Sequence, residues 1–485
     1  MIDLSRPVET LEYLLALPAE QPLIEFKRLG RGFDRIAESV CAFANADGGW
    51  LILGLGDPKA ARAGFPASDR LYGVEENPET LDQWKQLVVT RFTPPIDNLE
   101  FHTLRCTLRD DRPGRLCLVK VEASERVHSI LGGGTWIRGD ASNRQLSAEE
   151  ASTLSLRRGT NSAETDVLPI SLALLETDAW RSFLSARDMR PGDIGERLER
   201  IGLACRNESA GGVIQPRRAA VLLFAEEPGS LLAAHGSRAD IRLMVYSGTE
   251  IGSGVNPNLK RRKTFTGPLI QLIAKAVGAV LDELSQGVTI EGSGFVTRHK
   301  YPERVVTEAI VNAVIHRDYR LNRDIVVRIL DDKIIIESPG VFPGRITAAN
   351  IKSARSKARN PLLVKHLRDF PKGPNFDDGE GVRMMYNLMD EAALYPPKYR
   401  EETEAAVELV ELTLVNEDRP AAWTEVSDWI DRNGPIANAE VRRIAKVDTL
   451  RASKMLKGWV DLGYLVPEEG RGRRNAAYGK PKASP

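Results

Sequence analysis

Glu308-Ala309-Ile310-Val311-Asn312-Ala313-Val314-Ile315-His316 is an apolar stretch broken by three polar residues at i, i+4 and i+8. On a helix of period 3.6 that spacing drifts slowly, so a carboxylate, an amide and an imidazole share one face. Such a face suits a nucleotide. The Asn312 amide oxygen can ligate magnesium, and the Glu308 carboxylate can polarise a water beside a terminal phosphate. The plain alternative is three ordinary polar residues on a helix edge, with His316 capping or bracing a wall.

Two β-branched runs follow, Ile325 to Leu330 and Lys333 to Glu337, flanking Asp331-Asp332. They predict a hairpin. The second run opens into the turn-rich Ser338-Pro339-Gly340-Val341-Phe342-Pro343-Gly344. Further on, Gly379-Glu380-Gly381 precedes an apolar helix, Val382 to Met389. A glycine turn entering a helix N-terminus favours anions, because free N–H groups and the helix dipole point outward there.

From Tyr301 to Asp390 this order resembles the GHKL ATP-binding fold. The resemblance implies ATP and Mg²⁺ as cofactors. It makes Glu308 the catalytic, water-activating base and Asn312 the metal ligand. Gly340 and Gly344 fall on the first glycine box, Gly379 and Gly381 on the second. The aspartate that usually reads adenine, two residues before the first glycine, is Ser338 here, with Glu337 beside it. Glu337, Ser338 and His316 are therefore the expected remaining cofactor contacts.

A chain of 485 residues is too long for one core, and 42% hydrophobic with 28% charged residues is ordinary globular composition. Lys plus Arg and Asp plus Glu are each 67, so global charge carries no signal for nucleic acid. Cys41, Cys106, Cys117 and Cys205 are scattered, without zinc spacing, and fit reduced thiols. No apolar run is long enough to span a bilayer, so the expectation is a soluble cytoplasmic protein without membrane partners.

The N-terminal part carries Glu25-Phe26-Lys27, a helical stretch Phe33 to Ala46, a turn at Asn45-Ala46-Asp47-Gly48-Gly49, and a buried strand Trp50 to Asp57. Thr135-Trp136-Ile137-Arg138-Gly139-Asp140 follows later. These segments resemble the Schlafen AlbA-type domain over residues 1–158. That family holds nucleic-acid binders and nucleases. The resemblance implies that Glu20, Glu25 and Asp57 are catalytic and hold Mg²⁺ or Mn²⁺ in a nuclease. The structural alternative pairs Glu25 with Lys27 or Arg28 at a sheet edge.

Residues 159–297 read as a region that joins this domain to the ATP site and packs on the latter. Asp240 to Tyr246 alternates as a strand, and Pro268 to Leu284 as an amphipathic helix. Lys260-Arg261-Arg262-Lys263 reads as an exposed loop, with phosphate contact as the other reading. The ATP-binding domain is expected over 298–415.

Beyond residue 420 the pattern changes to three short helices, Val426 to Asp431, Ala437 to Ala445 and Asp448 to Leu462. A strand and the basic stretch Glu469 to Arg474 follow. Residues 436–485 hold eleven Lys or Arg against five acids. This resembles a winged helix, with Arg451, Lys454, Lys457, Arg471, Arg473 and Arg474 on nucleic acid. A protein-binding winged helix is the alternative.

The expected architecture is thus α/β (α+β) multidomain: AlbA-like domain, GHKL-like α/β sandwich, winged helix-turn-helix at 420–485. The whole order resembles prokaryotic ATP-binding transcriptional regulators, with relatives in phage defence. It implies a homodimeric regulator whose DNA binding is controlled by Mg-ATP, or else an ATP-gated nuclease acting on RNA or DNA.

Overall fold

The computed structural model describes residues 2–29, 34–60, 66–88, 90–159, 162–189, 192–207, 211–252, 258–285, 288–291, 294–297, 300–374, 379–403, 407–468 and 476–481. It is a mixed α/β protein. The chain divides into two compact units, Met1–Asn161 and Ser162–Pro485.

The first unit is built on a four-stranded sheet in the order Ile24–Lys27, Gly49–Leu53, Pro113–Val121, Leu99–Thr107. The first pair is parallel and the other two are antiparallel. Strand alternation sends Leu51 and Leu53 to one face and Ile52 to the other. On the first face the helix Asp34–Ala44 buries Ile36, Val40, Cys41 and Phe43, with Trp84 beside them. On the second, Leu14 from the helix Pro7–Ala16 covers Phe26, Leu104, Leu116 and Leu118. Helix Ala148–Arg157 starts with a capping box, Ser147 and Glu150 satisfying each other's backbone N–H groups.

The second unit holds a six-stranded sheet. Its order is Leu259–Phe265, Ile241–Tyr246, Ile325–Ile329, Lys333–Pro339, Leu409–Val415, Lys398–Glu402. Only the pair Ile241–Tyr246 with Ile325–Ile329 is parallel. One face is apolar. Leu243, Val327, Ile334, Ile336, Leu412 and Leu414 share a core with helices Leu269–Ser285 and Glu303–Ile315. The other face carries Arg242, Arg328, Glu337, Arg400 and Glu411, as an antiparallel sheet with one wet side should. Two of the six strands come from residues 159–297, so that region completes the sheet as well as packing on it through the helix Leu269–Ser285. The basic run at 260–263 is part of an edge strand and not a loop.

The C-terminal segment has helices Ala422–Asn433, Asn438–Ala445 and Thr449–Asp461, the last capped by Asp448. A small antiparallel sheet follows in the order Ile436–Ala437, Ala477–Gly479, Val466–Pro467. Its core is aromatic: Tyr395 stacks on Tyr464 at 4.7 Å, and Trp423 lies 5.0 Å from Trp459. Among the described residues no helix is long and apolar enough to cross a membrane.

Candidate nucleotide pocket and basic surface

A pocket opens between the helix Glu303–Ile315, the end of strand Lys333–Pro339, the segment 346–358 and the start of helix Gly381–Glu391. Glu308, Asn312, His316, Ser338, Gly340, Gly379 and Gly381 all line it. Asn312 Nδ2 donates to Glu308 Oε1 at 2.9 Å. That bond uses the amide's hydrogens on the carboxylate and leaves Oδ1 as an oxygen donor for a cation. The residues present therefore fit a divalent ion beside Asn312.

The glycines are required by space as well as by backbone. A Cβ on Gly381 would stand 1.8 Å from Glu308 Oε1, so the helix N-terminus closes directly on the carboxylate. Gly340 has φ +115° and Gly379 φ +87°, in the left-handed region, and their added Cβ atoms would meet Asp318 and Ser356 at 2.8 and 2.7 Å. Gly344 adjoins Lys357 instead and is not among the pocket-lining residues.

Buried polar residues fix the floor. Asn360 Nδ2 donates to the Ile315 and Arg317 carbonyls at 2.9 and 2.8 Å, satisfying backbone acceptors left over where the Glu303–Ile315 helix ends. The buried Asp318 lies between Arg320 and Arg359, which hold its carboxyl below the usual range despite burial. Ser338 Oγ donates to the Ala313 carbonyl at 2.8 Å, tying strand to helix. Glu337 leaves the pocket. Alternation along the strand turns it to the opposite sheet face, where it pairs with Arg328. His316 lines the pocket with an Nδ1 that finds no hydrogen-bond partner among the described residues. Burial, helped by Arg359, pushes its pKa down to about 4, so the ring is neutral at pH 7.

Among the lining cations not singled out in the sequence, Lys352, Arg355 and Lys357 come from one segment. The signal was there, a cation-rich stretch between the two glycine turns. Its charges meet the pocket only because the segment folds back between Gly344 and Gly379.

In the first unit the sequence motifs converge on Glu25, which is buried. Lys27 Nζ lies 2.6 Å from one carboxylate oxygen and Arg138 Nη1 2.8 Å from the other. Ser39 Oγ donates to it at 2.9 Å and Asn143 Nδ2 at 3.0 Å. Arg138 also donates to the Pro22 and Gln21 carbonyls. Glu25 is thus a neutralised, saturated anchor. Glu20 accepts from the Phe26 N–H at 3.1 Å; burial raises its pKa, and the charges of Glu25 and Asp57 push the same way. Asp57 accepts from the Lys59 N–H. Glu20 lies within the field of the other two carboxylates, yet the three do not form a ligand set. Among the described residues no three His, Cys, Asp or Glu side chains are placed to hold a metal ion. The expected Mg²⁺ or Mn²⁺ site does not fit these residues, since two cations and two further donors already occupy Glu25.

Comparison with known proteins matches residues 20–147 to the family model "Schlafen, AlbA_2". Residues 322–410 match "Putative ATP-dependent DNA helicase recG C-terminal", an ATPase-like model. The chain thus carries a Schlafen AlbA-type region and an ATPase-like region. The ATPase-like match takes in Gly340, Gly344, Gly379 and Gly381 but begins after the Glu303–Ile315 helix. No curated protein matches the chain. Among solved structures, the DIP2311 protein from Corynebacterium diphtheriae is similar at 18% identity and a TM-score of 0.40. That likeness covers 98% of this chain and 99% of the other.

The helix Thr449–Asp461 presents Arg451, Lys454 and Lys457 on its exposed side, while Ala452, Leu456 and Trp459 face the core. Arg451 and Lys454 are three residues apart, as are Lys454 and Lys457, so the three cations form a stripe along one side. Arg471, Arg473 and Arg474 lie outside the described residues.

Proposed function

We propose that the protein is an ATP-switched, nucleic-acid-binding regulator. The observation that carries this reading is the convergence of Glu308 and Asn312 with Gly340, Gly379 and Gly381 on one cationic pocket. Asn312 would hold Mg²⁺ through Oδ1, and the ion would offset triphosphate charge there. Lys352, Arg355 and Lys357 would meet the phosphates, and Glu308 would orient a water at the terminal one. The resemblance of the ATPase-like region supports ATP as the nucleotide.

The C-terminal segment is read as a winged helix that docks Thr449–Asp461 in a major groove, with the AlbA-type domain as a second nucleic-acid contact, in a homodimer. A covalent path supports coupling between pocket and docking helix. The helix that begins at Gly381 ends at Glu391, and Tyr395 just beyond it accepts from Trp459 Nε1 at 3.1 Å. Tyr464 Oη donates to the Pro396 carbonyl at 3.1 Å. Movement of the Gly381 end on the terminal phosphate would thus reach the base of the docking helix. Transcriptional control in the cytoplasm is the biological role this reading implies. Nuclease action at Glu20, Glu25 and Asp57 has less support, because Glu25 is saturated.

Calorimetry tests the reading. Mg-ATP is expected to bind the native protein, and Asn312→Ala is expected to weaken it at least tenfold. Equal affinity in both, or no binding to either, sinks the proposal. Arg451→Ala/Lys454→Ala/Lys457→Ala should reduce duplex DNA binding and lower its log–log salt slope by about 0.9 for each phosphate that is no longer neutralised.

A further inference from the structure

The edge strand Leu259–Phe265 carries four consecutive cations, and only its last residue is buried. Register with the next strand sorts them by face. Lys263 lies opposite the buried Leu243 and Arg261 opposite the buried Val245, so these two share the core-facing side. Arg261 is tied down there by Glu283 at 2.6 Å, and Lys263 lies over the Phe265 ring. Arg262 lies opposite Met244, on the outward face that also carries Arg242. Lys260 stands at a register irregularity between the pairs Val245 with Arg261 and Tyr246 with Leu259, and is exposed beside them. Further inward on that face, Arg328 opposite Met244 is already paired with Glu337. Lys260, Arg262 and Arg242 form no ion pair among the described residues. A basic edge strand can serve merely to block strand pairing. That role asks for one or two charges on the edge; it does not ask for the charge to spread across the outward face to a second strand.

We propose that this exposed corner of the six-stranded sheet, Arg262 and Arg242 on the outward face with Lys260 at the irregularity beside them, is a further nucleic-acid contact that grips the phosphodiester backbone without reading sequence. Successive phosphates of one duplex strand advance about 3.4 Å along the axis, so cations clustered at one exposed corner can reach neighbouring phosphates. The site is independent of the ATP pocket and of the Thr449–Asp461 helix, and it stands if either of those readings fails.

The test uses the full chain with labelled random-sequence duplex and single-stranded DNA across a salt series. In Lys260→Gln/Arg262→Gln/Arg242→Gln the log–log salt slope should fall by about two to three, at about 0.9 per neutralised phosphate for duplex. Arg261→Gln, on the opposite face, should leave the slope within about 0.3 of the native value. A fall on only one of the two DNA forms identifies which the corner prefers. An unchanged slope on both overturns the proposal. So does an equal fall in Arg261→Gln, which would reduce the effect to bulk charge. Loss of a dimer in sedimentation with the slope intact also overturns it, since the strand would then pair with a second copy. Unfolding midpoints of both variants, expected to match the native one, exclude misfolding as the cause.

Discussion

His316 joins two roles at the scale of a single residue: it ends a buried helix and faces a pocket. Its neutrality has a measurable consequence. Burial lowers the imidazole pKa from its ordinary 6.5 to about 4 in the folded state. Between those values the unfolded chain binds a proton that the native chain refuses, so stability is full above about pH 6.5 and is lost as pH falls toward 4. At about 1.4 kcal/mol per unit the loss reaches at most about 3 kcal/mol. Urea midpoints of native protein and His316→Gln should therefore converge as pH drops from 7 to 4, and parallel curves would refute the assignment. The spacing of Glu308, Asn312 and His316 was legible in the sequence because helical period alone places them on one side. The fate of Glu337 was not. Which face of a strand meets a pocket depends on which side the helices cover, and residue type does not reveal that.

Among elements, the buried knot around Glu25 joins segments more than a hundred residues apart. Arg138 reaches from strand Trp136–Arg138 to the carboxylate and to the loop before strand Ile24–Lys27. Removing one partner of a buried, hydrogen-bonded pair costs about 3 kcal/mol or more, because the other charge is left without compensation. Arg138→Ala should cost that much in the first unit, read as lost hydrogen-exchange protection across residues 24–53. Protection unchanged within about 1 kcal/mol would show that Lys27 alone suffices. The same segments were recognisable in the sequence as motifs. Their joint purpose was hidden, since a Glu followed two residues later by Lys on one strand gives no hint of an arginine arriving from residue 138. Elements themselves were easier to read. The helix expected over Phe33 to Ala46 is Asp34–Ala44, and the hairpin at Asp331-Asp332 forms as its β-branched flanks require. The first C-terminal helix is longer than expected, Ala422–Asn433, because Trp423 is drawn into the aromatic core with Tyr395 and Trp459.

Across the whole molecule, the two compact units should answer a ligand separately. Mg-ATP at about a hundred times its dissociation constant should stabilise the second unit by about 2.7 kcal/mol and leave the first unchanged. Hydrogen exchange resolved by segment checks this; protection gained in residues 24–53 instead would place the nucleotide elsewhere. By itself the sequence determined the local grammar: apolar helical faces, alternating strands, glycine turns and a basic C-terminal third helix. All of these depend on residues a few positions apart. Tertiary structure alone decided that strands at 241–246 and 259–265 complete the same sheet as the hairpin at 325–339. It alone decided that Glu25 is saturated, and that Lys352, Arg355 and Lys357 line the same pocket as Gly340, Gly379 and Gly381. Those outcomes depend on burial and register between distant segments, where the free energy of a charge or an apolar side chain is set by neighbours that chain order does not specify.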